Sequence, residues 1–220
     1  MKIFNIRNPS GTPAVPKCYN VGKGAEYVRT AMIHYGQLLG RSAMSYVSAT
    51  ATPLHIACMA DDIDTLARGV VEGTQYGNFA FSVYYPANPY SAARPIHSSR
   101  HQKKGASETC LIVLPILNQP NFPIAVIEDI AERSEKENII LLTPAVVPPA
   151  DKIINSYLWR KRRKVSNRFD IITLFLDEKR QFAWTAGWYP AVPDNNEYDC
   201  HFLLNVLRNT YRDDLHPYRP

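Results

Sequence analysis

Between residues 24 and 39 the apolar positions Val28, Ala31, Met32, Tyr35, Leu38 and Leu39 recur every three or four places. Gly40 follows where helices commonly stop, so an amphipathic helix is predicted here. Residues 45–50 read as a short strand. Thr52 and Pro53 then supply an N-cap and a first-turn proline, and the stripe Ile56, Met59, Ile63, Leu66 and Val70 predicts a second helix to about Gly73. On that helix Asp61, Asp62 and Asp64 occupy a solvated face. Residues 79–85 alternate as a strand that Pro86 ends. Residues 87–107 lose all periodicity and carry Pro, Asn, Ser, His and basic residues, the pattern of a long loop.

Further along, residues 109–117 are nearly continuously apolar, residues 123–137 place Val126, Ile127, Ile130 and Ala131 on one helical face, and residues 139–147 are apolar again. Strand, helix, strand makes a βαβ unit, whose strands are expected to be parallel and buried on both faces. A helix begins near residue 150 with Ile153, Ile154, Tyr157 and Leu158 inward. Residues 169–176 and 181–188 flank a charged turn as an antiparallel hairpin, and a final helix after Asp194 carries Phe202, Leu203, Val206 and Leu207. The predicted fold class is α/β to α+β. It has a mixed central sheet of about five to six strands with a βαβ unit, flanked by helices, and a C-terminal hairpin plus helix, all in a single domain over residues 1–220.

Composition narrows the class. The chain has 220 residues, 45% of them hydrophobic and 20% charged, which is that of a globular protein with a core large enough to need no staple. Its longest apolar runs are strand-sized, so no membrane partner is expected, and residues 1–16 lack the continuous apolar core of a signal peptide. The cysteines at 18, 58, 110 and 200 form no close pair, which points to a reducing, cytoplasmic setting. Residues 48–53 are similar to the Ser-Ala-Thr segment of helicases. The chain has no Gly-x-x-x-x-Gly-Lys-Ser/Thr loop to cradle phosphates, so these residues are read as a strand entering a capped helix. Nucleophile-elbow, zincin, EF-hand and dinucleotide fingerprints are also missing, and no cofactor or metal is expected.

Charge changes the picture most. The net charge of +5 is concentrated in two acid-free segments: Arg94, Arg100, Lys103 and Lys104 in the loop, and Arg160, Lys161, Arg162, Arg163, Lys164 and Arg168 at a helix end. Without those ten, 15 Lys and Arg stand against 20 Asp and Glu, so the rest of the chain is acidic. Clustered cations neutralise phosphates and release counterions, and Tyr157 and Trp159 add stacking surface. The leading expectation is therefore a nucleic-acid-binding protein, of RNA or DNA, that uses these ten residues. A second reading is an enzyme acting on a nucleotide, nucleic acid or other anionic substrate, with the loop as lid and His97, His101 and Glu108 as acid–base groups. Its substrate would sit beyond the carboxyl ends of the βαβ strands, near Asn118, Gln119 and Thr143. A weaker variant of the enzyme reading holds Mg²⁺ with Asp170 and Glu178 beside Lys179. A third reading is a viral or mobile-element assembly protein, with the basic helix as a contact for a protein partner.

Overall fold

The computed structural model describes residues 2–6, 25–47, 52–86, 96–101, 107–133, 138–165 and 168–176. Seven strands form one sheet: β1 (Ile3–Asn5), β2 (Leu54–Met59), β3 (Phe79–Pro86), β4 (Ile96–His101), β5 (Thr109–Val113), β6 (Asn138–Val146) and β7 (Arg168–Leu176). Their spatial order is β1-β7-β6-β5-β2-β3-β4, and every neighbouring pair is parallel except β3–β4. The mixed sheet flanked by helices expected from sequence is present. So is the βαβ unit, formed by β5, α3 (Asn121–Arg133) and β6, and continued by α4 (Ala150–Val165) into β7.

Parallel strands need cover on both faces, and the residue pattern supplies it. Leu54, Ile56, Cys58, Leu111, Val113, Ile140, Leu142, Ile172 and Leu174 point to one side. There they pack on α1 (Ala25–Ala43), with Met32, Tyr35 and Leu39 on its inner stripe, and on α2 (Arg68–Thr74). Ala57, Met59, Tyr84, Cys110, Ile112, Leu114, Ile139, Leu141 and Ile171 point to the other, under Phe122, Val126, Ile127 and Ile130 of α3 and Ile154 and Leu158 of α4.

Four expectations are corrected. Residues 54–59, read as the start of a helix, are strand β2 at the middle of the sheet. Ile56 and Met59, three apart, would share a helical face, but in a strand they take opposite faces, and both faces here are buried. The helix begins later, through a 3₁₀ turn (Ala60–Asp62) and a π turn (Ile63–Ala67) leading into α2. The strand expected at 45–50 is a turn at 45–47, with the rest outside the described residues. The long loop contains edge strand β4, whose sequence Ile-His-Ser-Ser-Arg-His shows no apolar alternation from which a strand could be read. Ile153, expected inward, is 45% exposed. Strand 181–188 of the hairpin and the final helix lie outside the described residues.

α1 and α2 approach so closely that glycine is required at the contact. A Cβ on Gly36 would lie 2.2 Å from the Leu66 carbonyl oxygen, and one on Gly69 would lie 2.1 Å from that of Ile33. Both obstacles are backbone and cannot swing aside. Gly36→Ala and Gly69→Ala are each expected to destabilise the fold by about 2 kcal/mol or more. Gly77→Ala, where nothing lies within 4 Å, should stay within about 0.5 kcal/mol of wild type in urea unfolding; equal effects at all three positions would refute the close-packing account.

Candidate functional site at the carboxyl edge of the sheet

Chain order reverses between β2 and β5. From β2 the chain moves outward to β3 and β4, whereas β5, β6 and β7 are added on the other side. The two connections therefore leave a crevice where the carboxyl ends of β2 and β5 lie side by side, the position where open α/β sheets hold ligands. The β2 side is the 3₁₀ and π turns, which bury Asp62 at 2% exposure. This carboxylate was expected on a solvated helix face, and it became buried because β2 delivers it to the end of the sheet. Its charge and deep burial push the Cys58 thiol well above its ordinary range, burial being the larger cause. Cys58 is thereby kept protonated and unreactive.

The β5 side is residues 114–120, entering the N-terminus of α3. Here the backbone is already committed: Leu117 N–H donates to the Ala145 carbonyl at 2.8 Å and Val147 N–H to the Leu117 carbonyl at 2.8 Å, extending the β5–β6 ladder past the strand end. Ile116, Ala145 and Val147, with Phe175 against them, make this stretch apolar. Of the polar groups expected here, Thr143 is buried and donates to the Ala145 carbonyl at 2.9 Å, so its hydroxyl is spent. Asn118 is half-buried and Gln119 exposed. Next along the edge, Asp151 in the first turn of α4 is 6% exposed, and its Oδ1 has no hydrogen-bond partner among the described residues.

A second polar assembly lies under α3. The Tyr84 hydroxyl donates to Asp129 Oδ2 at 3.0 Å, Arg133 Nε donates to Asp129 Oδ1 at 2.8 Å, Ser82 hydrogen-bonds Tyr84, and His55 Nε2 lies 2.7 Å from Ser82 Oγ. Burial and the Asp129 charge hold the Tyr84 phenol protonated far above its ordinary range, so it acts as the donor. The Tyr84 and Arg133 protons both point to Asp129, and the His55 tautomer sets the direction of the His55–Ser82 bond. Sequence reading missed this chain because its members come from β2, β3 and α3.

The acid–base trio expected from sequence is not brought together. His97 stands at a bulge in β4 opposite Tyr85 and Pro86, at the carboxyl edge, while His101 pairs with Ser82 farther down. Glu108 precedes β5 at the opposite edge and is exposed. Following the register through Ala57 and Ile112, Glu108 lies about 13 Å below the level of His101 and about 23 Å below that of His97, and three strand spacings, about 14 Å, across.

The basic segments also separate. Arg100 on β4 and Arg168 on β7 are five strand spacings apart, about 24 Å. Two cations of the second segment are engaged within the chain: Lys161 on α4 lies 3.5 Å from Glu128 and over the Tyr157 ring, and Arg168, expected at the helix end but found at the start of β7, bonds Asp170 and lies over Tyr46. Tyr157, rather than offering a stacking face, donates to Glu128. Arg160 is exposed on α4, with its Nε 3.4 Å from the Ser156 carbonyl. α4 also carries Arg162, Arg163 and Lys164, whose side chains lie outside the described residues, as do Arg94, Lys103 and Lys104. Asp170 is committed too, accepting from the Lys2 backbone N–H at 2.9 Å, and joins β1 to β7; Glu178 and Lys179 lie outside the described residues. Among the described residues no cluster of three or more His, Cys, Asp or Glu could hold a metal ion, and no helix is long and apolar enough to cross a membrane.

No protein-family profile and no curated protein matches the sequence. Among solved structures, the AQ2163 protein from Aquifex aeolicus is similar at a TM-score of 0.59 and 15% identity, over 80% of this chain and 88% of that one, which shows a shared fold. A hypoxanthine phosphoribosyltransferase from Staphylococcus aureus (11% identity, 67% of this chain and 74% of that one) and an adenine phosphoribosyltransferase from Leishmania donovani (12%, 79% and 76%) each give a TM-score of 0.46. The expectation of an RNA- or DNA-binding protein is overturned. Among the described residues, Arg100 on β4 and Arg168 on β7 stand at far-apart strands of the sheet, and Lys161 and Arg168 are engaged by carboxylates of the chain itself, so the cations do not gather into one phosphate-binding surface.

The protonated state of Tyr84 has a measurable consequence. Its folded-state pKa is raised above the ordinary 10.0, so above that pH the unfolded chain loses a proton that the folded chain keeps, and stability falls as pH rises. Tyr84→Phe should remove one such proton from the alkaline slope, a reduction of up to about 1.4 kcal/mol per pH unit. Urea unfolding between pH 9 and about 11 would read it; an unchanged slope would show that Tyr84 ionises normally.

Proposed function

We propose that this chain is an enzyme acting on a nucleotide or another small anionic substrate, seated at the carboxyl edge between β2 and β5, and that residues 1–220 work as one domain in a reducing cellular interior. The observation that carries the reading is the reversal of strand order at that edge. Leu117 and Val147 have no amide to spare, Pro123 has none and Ile124 donates to the Pro120 carbonyl, so the anion is held by Asn118, Gln119 and the two N–H groups of Asn121 and Phe122 that open α3. His97 serves as the acid–base group, since it is the sequence-predicted candidate whose backbone stands at this edge and imidazole titrates near neutrality. His101 and Glu108 are placed away from it. Free thiols at Cys58 and Cys110 accord with the reducing setting.

Titration calorimetry with nucleoside mono- and diphosphates, and with orthophosphate, tests the seat. A nucleotide is expected to bind, and Asn118→Leu to weaken it about 10-fold, the usual effect of losing a hydrogen bond to a charged ligand. His97→Ala should leave affinity within about 3-fold yet slow chromatographically monitored conversion at least 100-fold. No heat with any nucleotide would remove the carboxyl edge as the substrate site.

A further inference from the structure

The outer face of α4 carries a patch that neither the fold nor the carboxyl-edge site uses. Ser156 is exposed at its centre, and its neighbours at three and four residues on either side are Lys152, Ile153, Trp159 and Arg160, which therefore share one face. All are exposed: Trp159 at 73% and Ile153 at 45% are two of the three large hydrophobics that stand out among the described residues. The opposite stripe is pinned, with Ile154 and Leu158 in the core and Tyr157 and Lys161 both turned to Glu128 on α3. The patch is thus presented on a rigid helix.

We propose that this face is a docking surface for an acidic amphipathic helix of a partner protein. Two cations interleaved with an indole and an isoleucine ask for carboxylates interleaved with apolar side chains, and the small Ser156 between them lets a second helix backbone approach closely. A chain of phosphates would satisfy Lys152 and Arg160 but gain nothing from Ile153, so charge complementarity together with the apolar pair favours protein over nucleic acid. Trp and Arg at the centre of a small patch are the residue types that dominate binding energy. The face spans about two and a half helical turns, which fits a transient contact more than a permanent one. The proposal does not rest on the enzyme reading.

Fluorescence anisotropy of the full chain with three labelled probes of equal charge tests it: an amphipathic Glu/Leu helical peptide of about 16 residues, poly-L-glutamate, and a single-stranded oligonucleotide. The amphipathic peptide is expected to bind at least about 10-fold tighter than the other two, and Trp159→Ser and Arg160→Glu each to weaken it about 10-fold or more. Both positions are exposed, and unchanged circular dichroism would confirm that the variants fold. Equal binding of all three probes would make the patch a plain cation site. Peptide binding indifferent to Trp159→Ser would place the contact elsewhere, and no peptide binding at about 100 μM, above the range of specific transient contacts, would overturn the proposal outright.

Discussion

Two-sided burial of the parallel strands β2, β5, β6 and β7 is the constraint on which the rest of the molecule depends. A parallel pair cannot be closed by a tight turn, so each crossover must travel back along the sheet, and a helix does so while covering one face. α3 and α4 cover one side as consecutive crossovers; α1 and α2 cover the other, and they meet through glycines because their backbones lie almost in contact. Strand order must then reverse somewhere, and it reverses between β2 and β5. The crevice follows from how the core is covered.

The same ladder that stabilises the centre also limits the chemistry of its edge. Because β5 and β6 continue to hydrogen-bond beyond their named ends, the amides of Leu117 and Val147 are occupied, and the apolar group around Ile116 and Val147 seals that part of the edge. The side next to β2 is built instead by the 3₁₀ and π turns, which interrupt regular structure. Single π turns inside helices often mark functional positions. Here the turn reconciles a strand that must end level with β5 and a helix whose glycines must face α1.

Electrostatics is partitioned in the same way. Asp129 and Glu128, adjacent on α3, turn to different neighbours: Asp129 receives Tyr84 and Arg133, and Glu128 receives Tyr157 and Lys161. The first pair ties α3 to the sheet and the second ties it to α4. Part of the basic run at the end of α4 is thus used in helix packing, which leaves Lys152 and Arg160 on the outer face with Trp159. A run of like charge in sequence does not become one surface when Arg160 and Lys161, neighbours in the chain, turn to different sides of α4.

Read alone, the chain determined its class and much of its order: the apolar period marks α1, α3 and α4, and the continuous apolar runs at 109–117 and 139–147 mark strands buried on both faces. Those signals are local, and each is repeated over several residues. Tertiary structure decided the rest. Residues 54–59 carry a period that fits a helix, and only their place between β3 and β5 makes them a strand; β1 and β4 lie at the edges of the sheet, β1 only three residues long and β4 with a sequence that shows no apolar alternation. The site was least legible. His97 and Glu108 are close in sequence and far apart in space, whereas His55, Ser82, Tyr84 and Asp129 come from three elements and meet. Spacing along the chain reports neighbours within one element, and the sheet register, which sets neighbours between elements, is a property of the packed whole.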